Sequence, residues 1–169
     1  MQGISIIICC YNSETRIKET LEALQAQEVP AGLQWEVVLV DNNSKDKTVE
    51  VSQAIWSKNN ITTFRIVEET RPGQAYARKK GIQETKFDII SFIDDDNRVC
   101  TNWIALVDEI FKNHPECAAC GGIGRAVFEK EEPFWFKKYQ DNFAIGAQGK
   151  STGYVDPLRS YLYGAGLSL

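Results

Sequence analysis

Asp94, Asp95 and Asp96 follow one another directly after the apolar run Phe87 to Ile93. Three adjacent carboxylates repel one another, and such a cluster is most easily tolerated when a divalent cation sits among them. If strand geometry persists through the triplet, Asp94 and Asp96 project to one side and Asp95 faces away. Two carboxylates are too few for a complete cage. They suit a magnesium or manganese ion whose remaining ligands are phosphate oxygens and water. The candidate metal ligands Asp96 and Asp94 therefore imply a phosphate-bearing substrate.

Phosphates call for cations nearby, and Arg71 and Arg78 bracket Pro72-Gly73 at the mouth of a helical segment. Gly73 permits close backbone approach near the positive end of that helix. Tyr11, beside Asn12, offers a flat face to a base. Asp41, in the polar cluster Asp41-Asn42-Asn43-Ser44, can accept from a base amide or from ribose hydroxyls. Together these parts describe a pocket for a nucleoside diphosphate and its metal. Each also has a plain structural explanation: a capping turn for the aspartates, surface charge for the arginines, a helix cap for Asp41 and strand-end packing for Tyr11.

Residues so far apart in the chain need a scaffold that gathers them. Apolar, β-branched runs alternate with segments of helical period, the pattern of βα units feeding a mainly parallel sheet. Strands are predicted at Ile4–Cys10, Trp35–Val40, about Ile61–Val67 and Phe87–Ile93. The helix after the first strand carries Ile17, Leu21 and Leu24 on one face, with Asn12 or Ser13 as its cap. A second helix carries Val49, Val51, Ala54 and Ile55. A third runs from Gln74 to Thr85 and a fourth from Trp103 to Lys112. Ligands of open parallel sheets bind at the carboxyl ends of the strands, where all four polar clusters fall. Beyond Pro115, Cys117 to Phe128 reads as a glycine-interrupted strand. Pro133 to Phe143 is a helix candidate with Phe136, Tyr139 and Phe143 on one stripe, and the end of the chain as a loop entering a strand.

The 169 residues, 43% hydrophobic and 25% charged, have room for one globular domain with a real core. A net charge of −4 gives no general attraction to polyanions, so nucleic acid is not an expected partner. The longest apolar run, Ile4 to Cys10, is far short of the roughly 20 residues that span a bilayer. The first residues lack the features of a secretory signal, and the five cysteines fit reduced thiols, so a cytoplasmic location is expected. Cys117 and Cys120 have metal-like spacing, but a zinc site needs about four ligands and His114 is a poor addition.

The stretches Ile4 to Asn12, Val38 to Ser44 with Asp46 and Thr48, Arg71-Pro72-Gly73 with Arg78, and Phe92 to Asp96 resemble the successive motifs of family 2 glycosyltransferases. The resemblance covers roughly residues 4 to 112 in order and spacing, and Gly164-Ala165-Gly166 is similar to the glycine-rich segment that follows in the same family. It implies a GT-A-like, Rossmann-like α/β fold: a three-layer sandwich around a mainly parallel sheet. It also implies one domain, with residues 1–112 as the nucleotide-binding half and 113–169 as the start of the acceptor-side half. Carried over position by position, Tyr11 and Asp41 hold the base, Arg78 lies near the diphosphate, Asp94 meets the ribose and Asp96 ligates the metal. The full set of donor-binding candidates is Tyr11, Asn12, Asp41, Asn43, Arg71, Gly73, Arg78, Asp94 and Asp95.

The resemblance further implies an inverting transfer from a UDP- or GDP-type sugar to an acceptor hydroxyl, assisted by Mn2+ or Mg2+ as cofactor. The acidic base of that family lies a little beyond the glycine-rich segment, and Asp141 and Asp156 do not sit in that motif. The chain is thus expected to be C-terminally truncated, to bind donor and to lack its base. Cys9 departs from the proline frequent at the end of the first strand. The acceptor is open among saccharide, lipid-linked carrier and protein. The aromatic stripe is read as core, or alternatively as an acceptor platform, and Lys137 and Lys138 beside it suit peripheral contact with a membrane's inner face. The rivals are a sugar-phosphate nucleotidyltransferase, which would want a glycine-rich, lysine-bearing loop where Tyr11-Asn12-Ser13-Glu14 stands, and a non-catalytic nucleotide-sugar-binding module.

Overall fold

The computed structural model describes residues 2–149, 152–155 and 161–169. Its centre is a parallel sheet of four strands: β1 (Ile4–Cys10), β2 (Trp35–Asp41), β3 (Thr63–Glu68) and β4 (Ile89–Asp94), in spatial order β3-β2-β1-β4. The helices α1 (Ile17–Gln25), α2 (Thr48–Trp56), α3 (Gln74–Glu84) and α4 (Trp103–Asn113) connect or follow the strands. This is the predicted βα alternation. The middle strands β1 and β2 are apolar on both faces because both faces are covered.

Alternation divides the core in two. Ile4, Ile6, Ile8 and Cys10 of β1, with Val37 and Leu39 of β2, pack against Ile17, Leu21 and Leu24 of α1, Ile55 and Trp56 of α2, and Ile104 and Val107 of α4. Ile7, Val38, Val40 and Phe92 face the other way, toward Ala77 of α3. Each isoleucine fully removed from water contributes roughly 1.5–3 kcal/mol. Helix α3 has little apolar surface; it holds its place by close approach. A Cβ on Gly81 would lie 2.6 Å from Ile7 Cγ2 and 3.2 Å from Val40 Cγ2. Only a residue without a side chain fits there.

Two differences from expectation concern faces and caps. The buried residues of α2 are Thr48, Ser52, Ile55 and Trp56, and Ala54 is exposed. The polar Thr48 and Ser52 turn inward because Thr48 Oγ1 accepts from Ser13 N (2.7 Å) and donates to Asp46 Oδ1 (2.5 Å), while Ser52 Oγ donates to Thr48 O (2.7 Å). Neither Asn12 nor Ser13 caps α1 with its side chain; the Ser13 carbonyl accepts from Arg16 N and Ile17 N instead.

The C-terminal segment adds to the β4 edge. Phe92 N donates to Leu167 O (2.8 Å) and Leu169 N to Ile90 O (2.9 Å), so this segment runs antiparallel to β4. Cys120 and Ser168 exchange a further pair of bonds of 2.8 Å each. The predicted strand over Cys117–Phe128 is reduced to isolated bridges at Cys120 and Gly124. Its glycines are needed for approach: a Cβ on Gly122 would meet the Trp103 ring at 2.9 Å, and one on Gly124 would meet Ala144 O at 2.6 Å. The helix expected over Pro133–Phe143 shortens to α5 (Phe136–Tyr139) and a 3-10 turn, Gln140–Phe143. Of its stripe only Phe136 is buried, in edge contact with Phe128; Tyr139 and Phe143 are exposed.

Candidate active site

Strand register sets the site. Cys9 lies opposite Asp94 and Cys10 opposite Asp41, so the ends of β4, β1 and β2 are level. Two strand spacings put Asp41 and Asp94 on the order of 10 Å apart across the sheet edge. The loops that carry the predicted residues all leave from this edge.

On the α3 side, Arg78 Nη2 lies 3.6 Å from Asp94 Oδ1, and its guanidinium sits over the Phe92 ring, 5.1 Å from the centroid. Gly164 closes over the same group; a Cβ there would stand 3.2 Å from both terminal nitrogens of Arg78. Burial, and then the neighbouring Asp96 and Asp95, push the Asp94 carboxyl above its ordinary range, with Arg78 opposing them. The Cys9 thiol beneath is pushed up to about 12, first by burial and then by Asp94 and Asp95 against the pull of Arg78. It is therefore a protonated floor to the site and no nucleophile at neutral pH.

Strand β4 ends at Asp94, so strand geometry does not persist through the triplet: Asp95 and Asp96 lie in a turn, and Asp95 is directed to the β1 loop by its hydrogen bonds. Its Oδ2 accepts from Ser13 Oγ and from Arg16 Nη2 (2.9 Å), so its carboxylate is committed to the first helix and does not face Arg78. Asp96 stands exposed in the turn, with Asn97 Nδ2 donating to it at 3.2 Å. Among the described residues no three His, Cys, Asp or Glu side chains converge on a point that could hold an ion. The donor set nonetheless fits a hard divalent cation completed from outside, since Asp94 and Asp96 are oxygen ligands in a turn whose mutual repulsion a cation would relieve.

At the β2 end, Asp41 is 9% exposed, and its Oδ1 is buried without a hydrogen-bond partner in the structure. A buried polar oxygen left unpaired costs about 1–3 kcal/mol, and more when it is charged, so a donor supplied by a ligand is favoured there. Tyr11 is exposed at 58%, free to offer its ring. Asn12 and Asn43 both take left-handed backbone conformations, φ 50° and 64°, that turn the chain away from the strand ends. Asn12 Oδ1 accepts from Lys45 N (2.7 Å) and Asn43 Oδ1 from Lys45 Nζ (2.6 Å).

Arg71 is more committed than its motif implied. Its Nε and Nη2 donate to Glu69 at 2.9 and 2.7 Å, and its guanidinium lies over Tyr76. Those bonds pull the Glu69 carboxyl down to about 2. Gly73, φ 124°, stands at the start of α3, where its N–H donates to Asn42 Oδ1 (2.8 Å). Asn42 Nδ2 donates to Glu69 O (2.8 Å) and Arg71 O (2.7 Å), so one buried amide clamps the loop between β3 and α3. Asn42 and Glu69 were not singled out from the sequence. The cue for Asn42 was its place between Asp41 and Asn43; nothing local marked Glu69.

Against this geometry, Glycosyl transferase family 2 matches residues 5–161, and the chain belongs to that family. The chain is 26% identical over 126 residues to the poly-beta-1,6-N-acetyl-D-glucosamine synthase of Staphylococcus epidermidis, covering 74% of this chain and 29% of that one. Its fold is similar to that of S. aureus TarS in complex with UDP, with TM-score 0.67, 21% identity, and coverage of 78% of this chain and 38% of the other. It is also similar to the mannosyltransferase PcManGT of Pyrobaculum calidifontis, solved with GDP-Man and Mn2+, with TM-score 0.66, 25% identity, and coverage of 72% and 35%. The chain thus spans a third or so of the proteins it matches, and its fold is that of GT-A glycosyltransferases.

Proposed function

We propose that this domain binds the nucleoside diphosphate of a sugar donor, and that the protein it belongs to transfers the sugar to an acceptor hydroxyl. The observation that carries this reading is the level register of β2, β1 and β4, which gathers Asp41, Tyr11 and the Arg78–Asp94 pair along one sheet edge. The base would lie against Tyr11 and donate to Asp41, while Arg78 would answer the charge of the diphosphate. Asp96, with Asp94, would hold the divalent ion, whose chemistry is to neutralise the departing diphosphate. The relatives solved with UDP, or with GDP-Man and Mn2+, support a donor and a metal of this kind.

Residues 113–169 would begin the acceptor side. In that region Phe128 and Phe136, with Arg125, Lys137 and Gln140, line a shallow, open groove of about 330 Å³ that is separate from the acidic turn. A sugar face stacking on the aromatic wall is the acceptor chemistry this lining suits, consistent with the polymer-forming synthase among the relatives.

Calorimetric titration of UDP and GDP, with and without manganese, tests the reading. Binding is expected to depend on metal and to be lost in Asp96→Ala. Equal affinity in the absence of metal would remove the role given to Asp96.

A further inference from the structure

The middle aspartate of the acidic turn is spent on a contact inside the protein. Ser13 Oγ donates to Asp95 Oδ2, and Arg16 Nη2 donates to the same oxygen at 2.9 Å. The Arg16 guanidinium also reaches Tyr11 O (3.4 Å) and Ser13 Oγ (3.5 Å), so it bridges the β1 loop and the β4 turn. Ser13 is buried and Asp95 largely so; Arg16 is half exposed. Charge-assisted bonds to one oxygen at such a site restrain it more than an ordinary surface pair would.

The β1 loop is in turn fastened to the β2 loop. Asn12 N donates to Ser44 Oγ (3.0 Å), Ser13 N to Thr48 Oγ1 (2.7 Å) and Glu14 N to Asp46 Oδ2 (3.0 Å). In the other direction, Lys45 N donates to Asn12 Oδ1 and Lys47 N to Glu14 Oε2, each at 2.7 Å. Residues 11–16 therefore form a splint. One side is fixed to the loop that follows Asp41, and the other to the turn that carries Asp94 and Asp96. Among the described residues no side-chain hydrogen bond or ion pair joins the loop after Asp41 directly to the turn after Asp94.

We infer that Ser13 and Arg16 are positioning residues: by holding Asp95 they fix the acidic turn so that Asp96 presents its carboxylate to a cation in register with the nucleoside end of the site. This rests on the donor-binding reading above and deepens it. Electrostatics alone argues the opposite sign for Arg16, since removing a positive charge near the turn should strengthen cation binding. The two effects can therefore be told apart.

The test measures the manganese concentration that half-saturates UDP binding, in the wild type, Ser13→Ala, Arg16→Gln and Arg16→Lys. Thermal melts confirm that each is folded, and wild-type UDP binding with manganese first confirms the reading on which the inference depends. Ser13→Ala removes the bond to Asp95, and the long one from Arg16, without changing any charge, and a loss of about fivefold to tenfold in apparent manganese affinity is expected. Arg16→Gln is expected to weaken manganese binding as well, with Arg16→Lys recovering part of it, while metal-free binding of UMP stays within about twofold. Unchanged manganese affinity in folded Ser13→Ala, or tighter manganese binding in Arg16→Gln, would overturn the inference.

Discussion

Residues 4–113 and residues 114–169 are built on different terms. The first stretch holds four strands and four helices, and the apolar core on both faces of the sheet comes from it. In the second, the described residues form one turn of α-helix, one 3-10 turn and isolated bridges, and the buried apolar side chains are Phe136 and Tyr163. The difference is one of autonomy. The βα units bury their own apolar faces, whereas the later segment is held by what it borrows: the free edge of β4, the Trp103 ring behind Gly122 and Gly166, and the Gln148 amide, which donates to Gly122 O and accepts from Tyr163 N. The donor site proposed above stands on the first kind of structure. The acceptor side proposed above stands on the second.

If that contrast holds, the largest effect belongs to a buried charge in the first region. Glu36 is 1% exposed and accepts from Ser5 Oγ (3.0 Å), Lys86 N (2.8 Å) and Arg65 Nη2 (3.2 Å). Glu36→Ala leaves Ser5 Oγ and Lys86 N without this acceptor and leaves Arg65 with Glu84 alone, so urea unfolding should show a loss of roughly 3–5 kcal/mol. A smaller and local effect is expected at Gly166, φ 72°, where a Cβ would lie 3.0 Å from the Trp103 ring. Gly166→Val should cost roughly 1–3 kcal/mol. Hydrogen exchange should then speed up at Ser168 and Leu169 while the amides of β1 and β2 keep their protection; loss of protection in β1 would show that the two regions are not separable.

A third effect depends on pH. The Glu69 carboxyl falls from its ordinary 4.5 to about 2 beside Arg71, so its contribution to stability is complete above 4.5 and fades as the pH drops toward 2. The stability gap between wild type and Glu69→Gln should therefore be widest at neutral pH and narrow through that window in urea titrations. The smallest effect is expected at Phe134, 98% exposed: Phe134→Ser should change stability by less than about 0.5 kcal/mol. A larger change would mean that this ring is covered in the folded protein.

The sequence disclosed the parts whose signals are local. The apolar runs of β1 and β2, the Ile17, Leu21, Leu24 face and the polar strand ends each follow from the periodicity of their own segment. What stayed hidden depends on pairing across long separations. Whether Leu167 to Leu169 would run parallel or antiparallel to β4 is not written in those residues, nor is the choice of Arg16 as the partner of Asp95. The inward turn of Thr48 escaped for the same reason, because its partner Ser13 lies on the β1 loop; that of Ser52 escaped because its bond to the Thr48 carbonyl of its own helix leaves no apolar pattern. Asp156 lies outside the described residues.

Gly81 also sets a distance. It follows Arg78 by three residues on the same side of α3, and its missing side chain lets the helix rest directly on Ile7 and Val40. The standoff between that helix and the sheet is consequently the ruler by which the guanidinium reaches Asp94. A single added methyl would act as a shim, lifting the whole rod and withdrawing the cation from its carboxylate without altering either charged group.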